Sequence, residues 1–196
     1  MNKIQPMKIA VFASGNGSNF EAIVEAVRDG KVEAEIALLV CDRPEAYVLK
    51  RAERLGISSI TLQPKAFESK IAYETEVLDH LQAESIELIV LAGCMRIVGA
   101  TLLKAYPKRI VNIHPSLLPL YPGRQGIEDA FNDGATETGV TVHLVDEGID
   151  TGPVLAQRKV AIHQGDAIEL LEGKIHALEH ELFPEVIQTY IKKLKS

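Results

Sequence analysis

Lys8-Ile9-Ala10-Val11-Phe12-Ala13, followed at once by Ser14-Gly15-Asn16-Gly17-Ser18-Asn19, reads as a short buried strand running into a glycine loop. Beyond the loop Phe20, Ile23, Val24 and Val27 recur at helical spacing as far as Asp29-Gly30, so the unit is strand, loop, helix. Working outward, residues 36–41 repeat the strand signature, and residues 44–55 read as a helix opened by Pro44 and closed by Gly56. Residues 57–61 look like a third strand. Phe67, Ile71, Val77, Leu78 and Leu81 then mark a longer amphipathic helix before the apolar strand at residues 88–91. Strand–helix units in succession imply parallel strands joined by right-handed crossovers, with helices on both faces of one sheet. The expected fold class is α/β.

The second half changes style. Residues 109–113 read as a strand that enters a loop from His114 to Gly126, where Pro115, Pro119 and Pro122 exclude regular helix and sheet as far as Gly123. A long rigid loop inside a compact domain is usually functional. Residues 139–145 and 152–160 read as two strands about the connection Asp146-Glu147-Gly148-Ile149-Asp150-Thr151-Gly152, an antiparallel addition to the sheet. A last helix carries Ile168, Leu171, Ile175, Leu178 and Leu182 as its core stripe.

A length of 196 residues suits one domain. With 21 basic against 27 acidic side chains the net charge is −6, which offers no electrostatic footprint for a nucleic-acid backbone or an anionic membrane. The expected partner is a small molecule, with room for a local pocket for one phosphate. Cys41 and Cys94 lie inside apolar runs and make no CxxC, so both read as buried thiols of a reducing compartment. The apolar stretch at residues 9–13 is too short for a signal sequence, and no run is long enough to span a bilayer. The expected location is the cytoplasm.

Three groups of residues have chemistry to offer. The loop from Ser14 to Asn19 sits between strand and helix, where backbone N–H groups and the positive helix end can cradle a phosphate. The alternative is a plain glycine turn with Ser18 or Asn19 as helix cap. Gly15 and Gly17 match half of the G-x-G-x-x-G dinucleotide pattern, but Phe20 stands where the third glycine belongs; Asp42 occupies the position a ribose-binding acid would take. Asn112 and His114 lie two apart at a strand end and so project from one face. An amide donor beside an imidazole suits stabilisation of an oxyanion in acyl transfer; the plainer alternative is a histidine that closes a loop. Asp150 is either an Asx turn or a carboxylate that favours the charged imidazole of His114 and fixes its orientation. His176-x-x-Glu179-His180 matches the inverted zinc-protease pattern, yet no third ligand is recognisable and Leu178 within it belongs to the core stripe. No metal is expected there, and Glu179 is free to face a pocket. His80, His143 and His163 have no companions in the sequence and read as surface or strand histidines.

Taken together, Ser14-Gly15-Asn16-Gly17-Ser18-Asn19, Leu91-Ala92-Gly93-Cys94-Met95-Arg96-Ile97, Asn112-Ile113-His114-Pro115-Ser116-Leu117-Leu118-Pro119 and Asp150-Thr151-Gly152-Pro153 resemble, in order and spacing, the phosphoribosylglycinamide formyltransferase family of folate-dependent formyltransferases. The resemblance covers nearly the whole chain. It implies a Rossmann-like, mostly parallel mixed sheet in a single domain over 1–196, with residues 1–105 as the phosphate- and nucleotide-binding half and 106–196 as the catalytic and folate-binding half. It implies 10-formyltetrahydrofolate as formyl donor and 5-phosphoribosylglycinamide (GAR) as acceptor, in purine (IMP) biosynthesis, with neither metal nor nicotinamide, acting as a monomer or homodimer. Asn112, His114 and Asp150 match the family's catalytic residues, and Gly17, Ser18 and Asn19 its ribonucleotide phosphate site. Glu179 matches the residue for the substrate amine or ribose. Met95, Arg96 and Ile97 resemble the segment along the folate, walled by Leu91, Val98 and Leu103, while Asp146, Glu147, Gly148, Ile149 and Asp150 resemble the loop lining the pterin, with Asn112 also beside the folate. Two positions depart from the pattern: His176 stands where some members have glutamine, and Lys70 where some have an arginine near the folate's glutamate tail. Residues 124–127 carry no expected catalytic role.

The nearest rival keeps the same residues with water as acceptor, a formyltetrahydrofolate deformylase, which normally adds an N-terminal regulatory domain. Methionyl-tRNA formyltransferase normally adds a C-terminal tRNA-binding domain. Length disfavours both. A rival of another class is a non-catalytic nucleotide-binding module in which Asn112, His114 and Asp150 are structural.

Overall fold

The computed structural model describes residues 5–196; residues 1–4, the start of the segment that lacks a signal pattern, lie outside them. The elements run β1 (Met7–Ala13), α1 (Ser18–Arg28), β2 (Ala34–Cys41), α2 (Tyr47–Arg54), β3 (Ser59–Thr61), α3 (Lys70–Ala83), β4 (Leu88–Leu91), α4 (Ala100–Ala105), β5 (Ile110–His114), α5 (Gly126–Asn132), β6 (Glu137–Leu144), β7 (Val154–Ala161) and α6 (Ile168–Lys195). One seven-stranded sheet has the order β3-β2-β1-β4-β5-β6-β7. The first five strands are parallel; β6 joins β5, and β7 joins β6, antiparallel. This is the mixed, mostly parallel sheet that the sequence implies.

Strand β1 is apolar on both faces because helices cover both. Its Ile9, Val11 and Ala13 pack with Phe20 and Ile23 of α1 and with Leu171, Ile175, Phe183 and Ile187 of α6. Its Ala10 and Phe12 pack on the other side with Tyr73, Val77 and Leu81 of α3 and Leu102 of α4. Each large side chain buried this way contributes roughly 1.5–3 kcal/mol. The chain goes one way from β1 to β2 and β3 and the other way to β4 and β5, so the loops after β1 and β4 part and leave a crevice at the strands' carboxyl ends.

Several elements depart from the sequence reading. Helix α2 starts at Tyr47 rather than Pro44, since Ala46 is extended and residues 44–45 form a turn. Phe67 lies outside α3, which Ser69 opens by accepting a hydrogen bond from the Ala72 N–H at 3.1 Å. That start turns Ile71 outward, 70% exposed, and gives the buried stripe to Tyr73, Val77 and Leu81. Cys41 is buried as expected, but Cys94 is only half-buried. Helices α4 and α5 are additions, six and seven residues long and without side-chain caps of their own. Among the described residues no helix is long and apolar enough to cross a membrane.

Candidate active site

The loops after β1, β4 and β5, the β6–β7 connection and one face of α6 surround a cavity of about 510 Å³ at the crevice. A larger groove of about 760 Å³ runs between α1 and α6 on the outer face, lined by Glu25, Asp29, Glu181 and Gln188, and takes none of the strand-end residues.

The glycine loop forms one wall. Gly17 caps α1 at φ +81°, the left-handed region, and a Cβ there would come within 2.6 Å of Val48 Cβ, so the position requires glycine twice over. The helix begins at Ser18 with no side-chain cap, so neither Ser18 nor Asn19 is spent on capping and both line the cavity. Phe20 is fully buried under α1, and Asp42 is tied to Arg96 Nε at 3.1 Å. Both facts count against the dinucleotide pattern: the close helix approach is blocked, and the candidate ribose acid already has a partner.

Opposite the loop, β5 carries Asn112 and His114 on one face, and β6 pairs with it so that Asn112 lies across from His143 and His114 across from Thr141. The Asn112 Nδ2 donates to His143 Nε2 at 3.2 Å, and His143 Nδ1 donates to the Leu144 carbonyl at 2.8 Å. These bonds require a neutral ring, and burial pushes the His143 pKa down, in the same direction. One Nδ2 hydrogen of Asn112 remains to be offered elsewhere. Asp150 stands at φ +54°, its Oδ2 accepting from the Gly123 N–H at 2.8 Å and lying 3.5 Å from His114 Nδ1, its Oδ1 3.7 Å from His143 Nε2. The structure brings Asn112, His114 and Asp150 together and adds His143, which the sequence offers only as a surface or strand histidine and whose place is visible only in the pairing register.

The proline loop adds a constraint. Tyr121, at φ +51°, aims its carbonyl at His114 Nε2, 2.8 Å away, and the buried Ser116 hydroxyl donates to the same carbonyl and to that of Leu120. A carbonyl only accepts, so Nε2 carries a proton and spends it on the loop. Gly126 lies over this ring, where a Cβ would meet His114 Nε2 at 3.1 Å, and Arg124 lines the cavity, donating to the Met95 carbonyl at 3.3 Å. Of residues 124–127, expected to have no catalytic role, Arg124 and Gly126 therefore help to enclose the site.

Met95, Arg96 and Ile97, with Leu91 and Val98, form an apolar wall that faces Val145, Asp146, Gly148 and Ile149. Met95, Ile97 and Ile149 are about half exposed, as side chains waiting to cover a flat ligand would be. Leu103 belongs to the core behind this wall and not to the cavity, because α4 carries it toward α3. Glu147 does not line the cavity either: Asp146 Oδ1 accepts from the Gly148 N–H and the Thr151 hydroxyl, which folds the loop past it. Lys70 lies one step away, in a neighbouring groove that shares Met95, Arg96, Ile97 and Arg124 with the cavity.

From α6, Glu179 reaches the cavity while 5% exposed. Its Oε2 accepts from Asn19 Nδ2 at 3.2 Å and from His176 Nδ1 at 3.1 Å, and the carboxylate pulls the His176 pKa up. The carboxylate therefore ties α6 to the glycine loop instead of joining a metal site, and the described residues contain no group of three or more His, Cys, Asp or Glu set to hold a metal ion.

A mostly parallel sheet whose switch-point crevice sets a glycine loop at a helix N-terminus against an amide, an imidazole and a carboxylate has the parts of an α/β acyl-transfer enzyme. The formyl transferase family model matches residues 7–187. The chain is 51% identical to phosphoribosylglycinamide formyltransferase of Bacillus subtilis (strain 168) over 181 residues, covering 92% of this chain and 93% of the relative. It superposes on the crystal structure of glycinamide ribonucleotide transformylase 1 from Geobacillus kaustophilus with a TM-score of 0.92 at 54% identity, covering 94% and 98% of the two chains. Phosphoribosylglycinamide formyltransferase from Bacillus halodurans gives 0.92 at 48% identity, covering 95% and 96%. The chain belongs to the formyl transferase family and, within it, to the phosphoribosylglycinamide formyltransferases.

Proposed function

We propose that the chain transfers the formyl group of 10-formyltetrahydrofolate to the amine of GAR, giving formyl-GAR and tetrahydrofolate, in purine biosynthesis. Family membership supports this reading. One observation carries it to the residues: Asn112, His114 and Asp150 meet at one side of a cavity whose other side is the glycine loop. A phosphate on the N–H groups of Gly17, Ser18 and Asn19 directs the acceptor's ribose toward Glu179 and its amine, the formyl acceptor, toward Asn112. A pterin between the 95–97 wall and the loop of Asp146, Gly148 and Ile149 brings the donor from the other side.

The uncharged amine adds to the formyl carbon and the carbonyl oxygen becomes an oxyanion. The free Asn112 N–H donates to that oxygen, and His114, protonated and held between Asp150 and the Tyr121 carbonyl, supplies the nearby positive charge. Asp150 accepts the proton released by the amine, by way of water. The C–N bond to the folate N10 then breaks, N10 gains a proton, and the formamide of the product remains. No step uses a metal or a nicotinamide. Glu147 and Lys70 take no direct part in this scheme; the neighbouring groove that holds Lys70 supports a role for it at the anionic tail of the folate. Water as acceptor would leave the anion cradle without a purpose, which favours the transferase over a deformylase. In this reading one domain works in the cytoplasm as a monomer or homodimer, without nucleic acid or membrane, with phosphate binding in residues 1–105 and catalysis and folate binding in 106–196.

The test is to replace Asn112 or His114 with alanine and measure formyl transfer. Loss of the oxyanion donor Asn112, or of the positive charge that His114 sets beside the oxyanion, costs on the order of 10²–10³ in kcat, and near-full kcat in either variant would overturn the assignment.

A further inference from the structure

The acceptors of Gly15, Asn16 and Gly17 in the glycine loop are all taken by α1 and α2. The Gly15 carbonyl accepts from the Val48 N–H and the Gly17 carbonyl from the Glu21 N–H, each at 3.0 Å. Both Asn16 oxygens are taken by one side chain on α2: Arg51 Nε donates to the Asn16 carbonyl and Arg51 Nη2 to Asn16 Oδ1, each at 2.8 Å. The third arm of the guanidinium, Nη1, is paired with Glu21 on α1, and the group lies 5.0 Å from the centre of the Tyr47 ring. Each of the three guanidinium nitrogens of Arg51 therefore holds a partner, and its side chain is only 20% exposed. Among the described residues the N–H groups of Gly15, Asn16 and Gly17 donate to no protein acceptor.

We propose that Arg51 is a positioning residue for the acceptor substrate: by holding both oxygens of Asn16 against α2 it keeps the loop's N–H groups turned to the phosphate. This rests on the reading of the loop as the phosphate site. Arg51 touches no substrate itself, and Glu21 offsets its charge, so its effect is on loop geometry. Planarity matters, since a lysine ammonium cannot serve two acceptors and a carboxylate in the same fork.

The experiment measures kcat and the KM of each substrate in the full-length enzyme. Arg51→Gln raises KM for GAR about tenfold, the order of one lost charge-assisted hydrogen bond, and leaves kcat and KM for 10-formyltetrahydrofolate within about twofold. Arg51→Lys recovers only part of the loss. Arg54→Gln, which removes the other partner of Glu21 without touching the loop, behaves as wild type. Ser18→Asp, which sets a negative charge at the cradle, tests the site itself and raises KM for GAR if the loop binds phosphate. If Ser18→Asp raises KM and Arg51→Gln does not, the role of Arg51 is refuted while the phosphate site stands. An unmoved KM in Ser18→Asp refutes the phosphate site. Full recovery by Arg51→Lys, or equal losses for both substrates in Arg51→Gln, reduces Arg51 to a general charge or a general prop and overturns the proposal.

Discussion

Replacing His143 with leucine is expected to slow formyl transfer although the residue lies behind the reacting groups. His143 is 2% exposed, accepts from Asn112 Nδ2 at 3.2 Å and donates to the Leu144 carbonyl at 2.8 Å. Leucine fills the space but ends both bonds. One N–H of Asn112 is then without its partner, which costs about 1–3 kcal/mol if it stays there, and the amide turns to find another. Complete loss of an oxyanion donor costs about 2.7–4 kcal/mol, or 10²–10³ in kcat; a donor present but misaligned loses part of that, so kcat falls roughly 10- to 100-fold with both KM values nearly unchanged. His143→Gln keeps an acceptor for Asn112 and a donor for Leu144, and is expected to hold kcat within a few-fold at neutral pH. The two variants also separate by pH. Burial holds the His143 pKa below its ordinary 6.5, so the unfolded chain takes up this proton first; its contribution to stability is complete above about pH 6.5 and disappears as pH falls through the folded value. The same protonation destroys the acceptor for Asn112. Glutamine does not titrate, so the variant loses one acid-side inflection in both kcat and melting temperature. A His143→Leu enzyme with wild-type kcat would refute the reasoning.

Two further outcomes follow from the same geometry. Gly17→Ala costs about 1–2 kcal/mol for a left-handed alanine and about 1–3 kcal/mol for the contact with Val48; a Val48→Gly background removes the Cβ at 2.6 Å and leaves only the Cα at 3.0 Å, lifting most of the second cost, so denaturant melts of the two single variants and the double variant should be non-additive, and strict additivity would contradict the placement of Gly17 on Val48. His176 is expected to titrate above 6.5 by NMR, because Glu179 stabilises its proton, and Glu179→Gln should bring it back down. The pair's contribution to stability is complete below about pH 6.5 and is lost as pH rises through the raised value; a titration unmoved by Glu179→Gln would show that the 3.1 Å contact does not set it.

The parallel core was legible because β1, β2 and β4 are nearly continuous apolar runs, which is how a strand covered on both faces must read. Asn112 and His114 were legible as a pair because alternation along a strand is local. His143 was not: its meeting with Asn112 depends on which residues of β5 and β6 face each other, and the two strands are joined by a long connection that holds both the proline loop and α5. Helices α4 and α5 escaped notice for a related reason. Their starts at Gly99 and Gln125 carry no cap, and Gly99 instead donates its N–H to the buried Glu74 carboxylate, 25 residues earlier in the chain. Ile71 misled because the apolar spacing of α3 suits a stripe, while the Ser69 cap decides which face that stripe takes. The proline loop was recognised as rigid, but the carbonyl of Tyr121 that occupies His114 Nε2 could not be read from composition.

The most direct test of the central claim is the release of the formyl group from 10-formyltetrahydrofolate by the purified protein, followed by folate absorbance with and without GAR. The account predicts release that depends on GAR and yields formyl-GAR in equal amount. Release at the same rate without GAR would make water the acceptor, and no release in either case would leave Asn112, His114 and Asp150 as parts of the scaffold.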